Sequence, residues 1–265
     1  MENQFRHTRL SRAAALWGLL TGAGAAGALG DVGRASELRI SPMVWEAPLV
    51  CPLAAAGWRS TPFQGRPANQ VDCAEGALRL RSEGSISMHY ITPPARLSRA
   101  QALRWRWRVD RSGGASDLGR RGADDRDLAV LVAFKYNPKT ATPMERALRP
   151  IVSAHGGENA PGRVLAYTWA GGDGSNTEAG DQPVPIRSPY GGRAHRIMVL
   201  QRGAGPWRSE HVDIRRDHVR AFGDDRFEIQ YVAVVADTDD LGGASDAWIR
   251  DLRLAKNGAV STDAP

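Results

Sequence analysis

The segment Leu103-Arg104-Trp105-Arg106-Trp107-Arg108-Val109 constrains the fold more than any other stretch of the chain. Its odd positions are all apolar and its even positions are all arginine. A helix would scatter these side chains around its axis. A strand sorts them onto two faces, because successive side chains point to opposite sides. The pattern therefore predicts a strand that turns Trp105 and Trp107 into a core. It presents Arg104, Arg106 and Arg108 on the other face, about 7 Å apart.

The rest of the chain repeats this logic more weakly. Ala77–Ser82 alternates apolar and charged residues, Glu83-Gly84 reads as a turn, and Ile86, Met88 and Tyr90 share one face of a return strand. Together they predict a hairpin. Further strands are expected at Leu128–Tyr136, Val164–Trp169, His195–Gln201, Trp207–Ile214, Ile229–Ala236 and Trp248–Leu254. Leu128–Phe134 and Ile229–Ala236 are apolar on both faces, as in central strands of a sheet covered on both sides. One short helix is expected at Arg215–Phe222, capped by Asp213 or Asp217 and ended by Gly223. Two long loops follow from composition: Asn137–Gly162, with a helical turn at Met144–Leu148, and the Gly- and Pro-rich Ala170–Gly192. Many short strands without a βαβ rhythm or an internal repeat predict an all-β fold, an antiparallel β-sandwich. A single-sheet barrel is the alternative.

Residues 1–28 read as an address. Arg6, His7, Arg9 and Arg12 precede an uncharged run from Ala13 to Leu29, and Ala26 and Ala28 offer a small-residue cleavage site. That is the layout of a signal peptide. A membrane anchor is the alternative, but the run is short of the roughly 20 apolar residues a span needs. No paired arginines precede it, so the expected route is Sec-type and the destination periplasmic or secreted. The expected organisation is a signal peptide at 1–28, a linker at 29–36, one sandwich domain at 37–256 and a disordered tail at 257–265. In an oxidising compartment Cys51 and Cys73 are a candidate disulfide, since neither sits in a metal-binding or nucleophile motif. The chain carries a net charge of +6, and all but three of its 35 basic residues are arginine. A charge that modest, spread along the sequence, is no footprint for nucleic acid.

From Phe63 to Leu254 the chain resembles the bacterial family of unknown function called DUF3047. The residues that carry the likeness are the Leu103–Val109 strand, Asp117 with Gly122-Ala123-Asp124-Asp125, and Tyr167-Thr168-Trp169. Trp207-Arg208-Ser209-Glu210 with Asp213, Phe222-Gly223, and Asp237-Thr238-Asp239-Asp240 before Gly242 and Trp248 complete the series. Ala123 interrupts the family's Gly-Asp-Asp run, and Asn137–Gly162 is longer than its usual connection. The resemblance implies an exported, jelly-roll-like sandwich of the carbohydrate-binding-module or concanavalin type. It brings no activity and no catalytic residues.

Several constellations could carry chemistry. The arginine ladder suits the carboxylates of an acidic polysaccharide, or else pairs with acidic residues on neighbouring strands. Asp117, Asp124, Asp125 and Asp127 form one acidic group, and Asp237, Asp239 and Asp240 another. Such carboxylates suit a hard cation, here a structural calcium on Asp237, Asp239 and Asp240, or else cap tight turns. Trp169 and Trp207 flank Gly- and Pro-containing segments, where an indole can stack on a sugar, although core packing is the competing role. Glu210 with Asp124 or Asp237 would supply the carboxylate pair of a glycoside hydrolase. Arg106, His211 and Tyr167 would supply a polysaccharide lyase. No GxSxG, HExxH or phosphate-binding loop is present. The expectation is a non-catalytic exported protein that binds a glycan or another envelope component, with no cofactor other than that calcium. Its ligand set would be Arg106, Asp124, Tyr167, Trp169, Trp207 and Glu210. An enzyme of the two kinds named, or an envelope assembly protein, is the alternative.

Overall fold

The chain runs through β1 (Met43–Glu46), β2 (Arg59–Thr61), β3 (Gln70–Ala74), β4 (Ala77–Glu83), β5 (Ile86–Ile91), β6 (Ala102–Arg111) and β7 (Arg126–Phe134). Helix α1 (Pro143–Gly156) and β8 (Arg163–Ala170), β9 (Ile186–Ser188), β10 (Gly192–Arg202) and β11 (Gly205–Asp213) follow. Helix α2 (Ile214–Phe222), β12 (Ile229–Asp237) and β13 (Ala244–Lys256) complete it. The computed structural model describes residues 43–157, 160–172 and 183–256. The expected signal peptide, linker and tail lie outside the described residues.

Two sheets stack face to face. The first has the order β11-β6-β13-β4-β3, with β1 also paired to β13, and the second the order β2-β5-β12-β7-β8-β10-β9. The chain crosses from one sheet to the other between β1 and β2, β2 and β3, β4 and β5, β5 and β6, β6 and β7, β10 and β11, β11 and β12, and β12 and β13. This gives an all-β, jelly-roll-like sandwich. Every described strand pairing is antiparallel except β8 with β10, which is parallel. A parallel pair cannot be closed by a tight turn, and the chain between Ala170 and Gly192 is long enough to serve.

Strand β6 behaves as its alternation dictates. Trp105 and Trp107 are buried, and their rings lie 5.7 Å from Tyr167 and 5.5 Å from Trp169 of the opposing sheet. Leu78, Leu80, Val130, Val132, Val234 and Ile249 fill the same layer. Strands β7 and β12 are central neighbours, and their second face carries a smaller apolar layer of Ala129, Leu131, Ala133, Ala233 and Val235. Their continuous hydrophobicity thus reflects cover on both sides.

Two local expectations need correction. The Ala77–Tyr90 segment is not a hairpin, because β4 pairs with β3 and β13 while β5 pairs with β2 and β12. Glu83-Gly84-Ser85 is a corner where the chain changes sheets, and Gly84 takes the left-handed conformation there (φ 51°). Buried hydroxyls hold the corner: Ser82 and Ser85 both donate to Asn69 Oδ1, at 2.9 and 2.7 Å, and Asn69 Nδ2 donates to the Ala236 carbonyl. The predicted turn at Met144–Leu148 is the full helix α1. Thr142 and Glu145 cap it reciprocally and Pro143 occupies its first turn. The Thr-Pro-Met-Glu signature was legible, but Pro150 inside the run argues against a helix of this length. Helix α2 starts at Ile214, capped by Asp213, and ends at Gly223 with φ 85°. Cys51 and Cys73 form a disulfide with a Cα separation of 5.6 Å. Among the described residues no helix is long and apolar enough to cross a membrane.

Candidate functional site

Two places concentrate side chains with chemistry. The first is the outer face of the β11-β6-β13-β4-β3 sheet. Pairing of β6 with β13 sets Arg108 beside Trp248 and Arg106 beside Arg250. On the other flank, an irregularity between Gly205 and Arg208 re-aims β11, and Trp207 comes to lie over the arginines. The Arg250, Arg108 and Arg106 guanidiniums stand 4.4, 5.1 and 5.9 Å from the Trp207 ring. Arg108 and Arg79 lie 4.5 and 4.8 Å from Trp248. The face is therefore an alternating row of guanidinium and indole planes.

Its charges are unevenly matched. Arg79 is held by both oxygens of Asp246, and Arg108 pairs with Asp110 at 3.2 Å. The Nε–H groups of Arg104, Arg106 and Arg250 are buried without a hydrogen-bond partner among the described residues, and Arg250 Nε stands 3.8 Å from Asp251. Trp248 is almost fully covered and spends its indole N–H on Asp110 at 2.8 Å. Trp207 is only half-buried. The β6–β11 flank thus offers an accessible indole framed by guanidinium groups.

The second place is one end of the sandwich. Register pairs Arg126, opening β7, with Asp237, closing β12. Arg126 binds Asp124 at 2.8 Å and Asp237 at 3.4 Å. The loops on either side meet closely: a Cβ at Gly243 would lie 2.2 Å from the Gly113 carbonyl oxygen. This approach lets the Asp240 and Leu241 amides donate to the two oxygens of Asp125, at 3.0 and 3.1 Å. Arg66 reaches Asp239 at 2.8 Å and Asp240 at 3.6 Å, and the Tyr190 hydroxyl donates to Asp240 at 3.4 Å. Asp127 accepts from Ser112 Oγ and the Gly113 amide, both at 2.7 Å. Burial pushes Asp127 up to about 6 and also raises Asp124, Asp125 and Asp237 above the usual carboxylate range.

The expected site residues fare differently. Arg106 and Trp207 share the outer face, and Asp124 lies in the acidic end. Trp169 and Tyr167 are fully buried core residues, because β8 turns them against β6. Trp169 donates to the Gly203 carbonyl, and the Tyr167 hydroxyl donates to Asp217 at 3.1 Å. Burial holds the Tyr167 hydroxyl well above its ordinary pKa. Tyr167 therefore cannot join Arg106 and His211, which lie outside the other sheet, in a lyase centre. Glu210 turns toward the sandwich edge and accepts from Trp107 Nε1 at 3.0 Å and Gln201 Nε2 at 3.1 Å, linking the two sheets. Of the expected metal set, Asp239 and Asp240 converge with Asp125, while Asp237 turns to Arg126. Asp117 closes a local turn onto the Gly119 amide. Sequence reasoning missed Arg250, Trp248 and Arg66, whose roles come from strand register and loop packing rather than from any local motif.

A family model described as "Protein of unknown function (DUF3047)" matches residues 56–253. No curated protein matches the sequence. Among solved structures, the chain is similar to a family 29 carbohydrate-binding module from Piromyces equi. The identity is 6%, the TM-score is 0.37, and 82% of this chain and 93% of that one are covered. It is also similar to the family 11 carbohydrate-binding module of the cellulosomal cellulase Lic26A-Cel5E of Clostridium thermocellum. There the identity is 8%, the TM-score 0.39, and the coverage 82% and 95%.

Proposed function

Since the chain belongs to the DUF3047 family, whose description assigns no activity, we propose from the geometry that it is an exported, non-catalytic binding protein. Its ligand is a glycan, or another envelope component, that carries carboxylates. The observation behind this reading is the β6–β11 flank, where the half-buried Trp207 ring is framed by Arg106, Arg108 and Arg250. A sugar ring stacks on the indole, and the planar guanidiniums around it take its carboxylates two-pronged. The Cys51–Cys73 disulfide supports an oxidising destination, in keeping with the signal-peptide pattern of residues 1–28.

The test is a glycan array with the purified protein, followed by titration of the best acidic hit. Binding of uronate-bearing glycans that weakens with salt is expected, with no new reducing ends or unsaturated products. Trp207→Ala and Arg106→Ala should each weaken binding about tenfold or more while the melting temperature holds. Absence of acidic-glycan binding, product release, or full affinity in both variants overturns the reading.

A further inference from the structure

We propose that the acidic end of the sandwich is a calcium site, with Asp125, Asp239 and Asp240 as ligands and the Asp124 carboxyl beside them. One oxygen from each of the first three residues lies within 4.8 Å of the others. That spread fits around a single ion whose bonds to oxygen are about 2.3–2.6 Å long. The donors are all carboxylate oxygens, with no sulfur or imidazole, which selects a hard cation.

Asp124 supplies a separate observation. It is 2% exposed, and its Oδ1 has no hydrogen-bond partner among the described residues. Its carboxyl stands against that of Asp240. A sealed, unpartnered oxygen on a carboxylate that stands beside a second carboxylate is costly unless a cation or a proton joins the two groups. Six carboxylates (Asp124, Asp125, Asp127, Asp237, Asp239 and Asp240) meet two guanidiniums here, Arg66 and Arg126. Arg66 is 46% exposed in its side chain and sits on the rim, so an ion can displace it toward solvent. The site tolerates variable coordination, since its ligands come from two loops, which suits calcium better than the strict octahedron of magnesium. It lies apart from the arginine–tryptophan face, so it stands or falls independently of the proposed ligand.

The experiment titrates the purified, chelator-treated protein with calcium by calorimetry and with terbium by luminescence excited through the aromatic side chains. One calcium per chain is expected, with magnesium binding more weakly. Terbium emission should be sensitised by Tyr190, whose hydroxyl is 3.4 Å from Asp240, and should be displaced by calcium. Asp239→Asn and Asp240→Asn should each lower calcium affinity about tenfold or more. Tyr190→Phe should lose most of the terbium emission with calcium affinity unchanged, which locates the ion even if an aspartate variant fails to fold. No calcium binding overturns the proposal. So does affinity unchanged in both aspartate variants, or emission undiminished in Tyr190→Phe.

Discussion

Trp107 and Trp207 lie on adjacent paired strands, yet one closes the core and the other lies over the outer face. Trp107 is fully buried against Trp105 and Trp169. Trp107→Ala is therefore expected to destabilise by about 3–5 kcal/mol in urea unfolding, through the cavity it leaves. This contrasts with the unchanged stability expected of Trp207→Ala. His195 is a residue of another kind. Its Nε2 is sealed without a partner among the described residues, and burial, with the nearby Arg126 charge, pushes it down to about 3. The unfolded imidazole titrates near 6.5, so the neutral ring's contribution is intact above that pH and lost as pH falls toward 3. In His195→Gln, unfolding measured from pH 7 to pH 4 should lack that component. The wild-type advantage should shrink by about 1.4 kcal/mol per pH unit below 6.5. Constancy of the difference across that range would contradict the assignment.

At the scale of elements, the disulfide ties β3 to the segment between β1 and β2, outside any strand ladder that joins them. Cys73→Ser should lower unfolding free energy by about 3 kcal/mol, the chain-entropy value for a loop of this size, without altering the β content seen by circular dichroism. The longer strands were legible because strand geometry is written in adjacent residues. β6, β7 and β12 need no information from elsewhere in the chain. The short strands β1, β2, β3 and β9 were not legible. Strands of 3 to 5 residues hold too few alternations to register, and tertiary pairing is what makes them strands. The false hairpin has the same cause. Two alternating runs joined by Glu83-Gly84 look alike whether they pair with each other or separate into two sheets. Only the partners β13 and β12 decide.

At the scale of the molecule, the sandwich brings distant segments together at two surfaces. Asp125 and Asp240 are 115 residues apart in sequence and meet because β7 and β12 are antiparallel neighbours whose loops leave the same end. Arg250 reaches Trp207 because both flanking strands pair with β6. The sequence by itself determined the all-β class, the inward and outward faces of β6, the capped helix α2 and the membership of the acidic loops. Each follows from side-chain direction and turn chemistry within a few residues. The tertiary structure alone decided that Trp169 and Tyr167 are core and that Glu210 braces the two sheets. It also decided that Asp125, rather than Asp237, completes the carboxylate cluster. Burial and convergence depend on which strands pair and in what register, and a one-residue slip reverses every face.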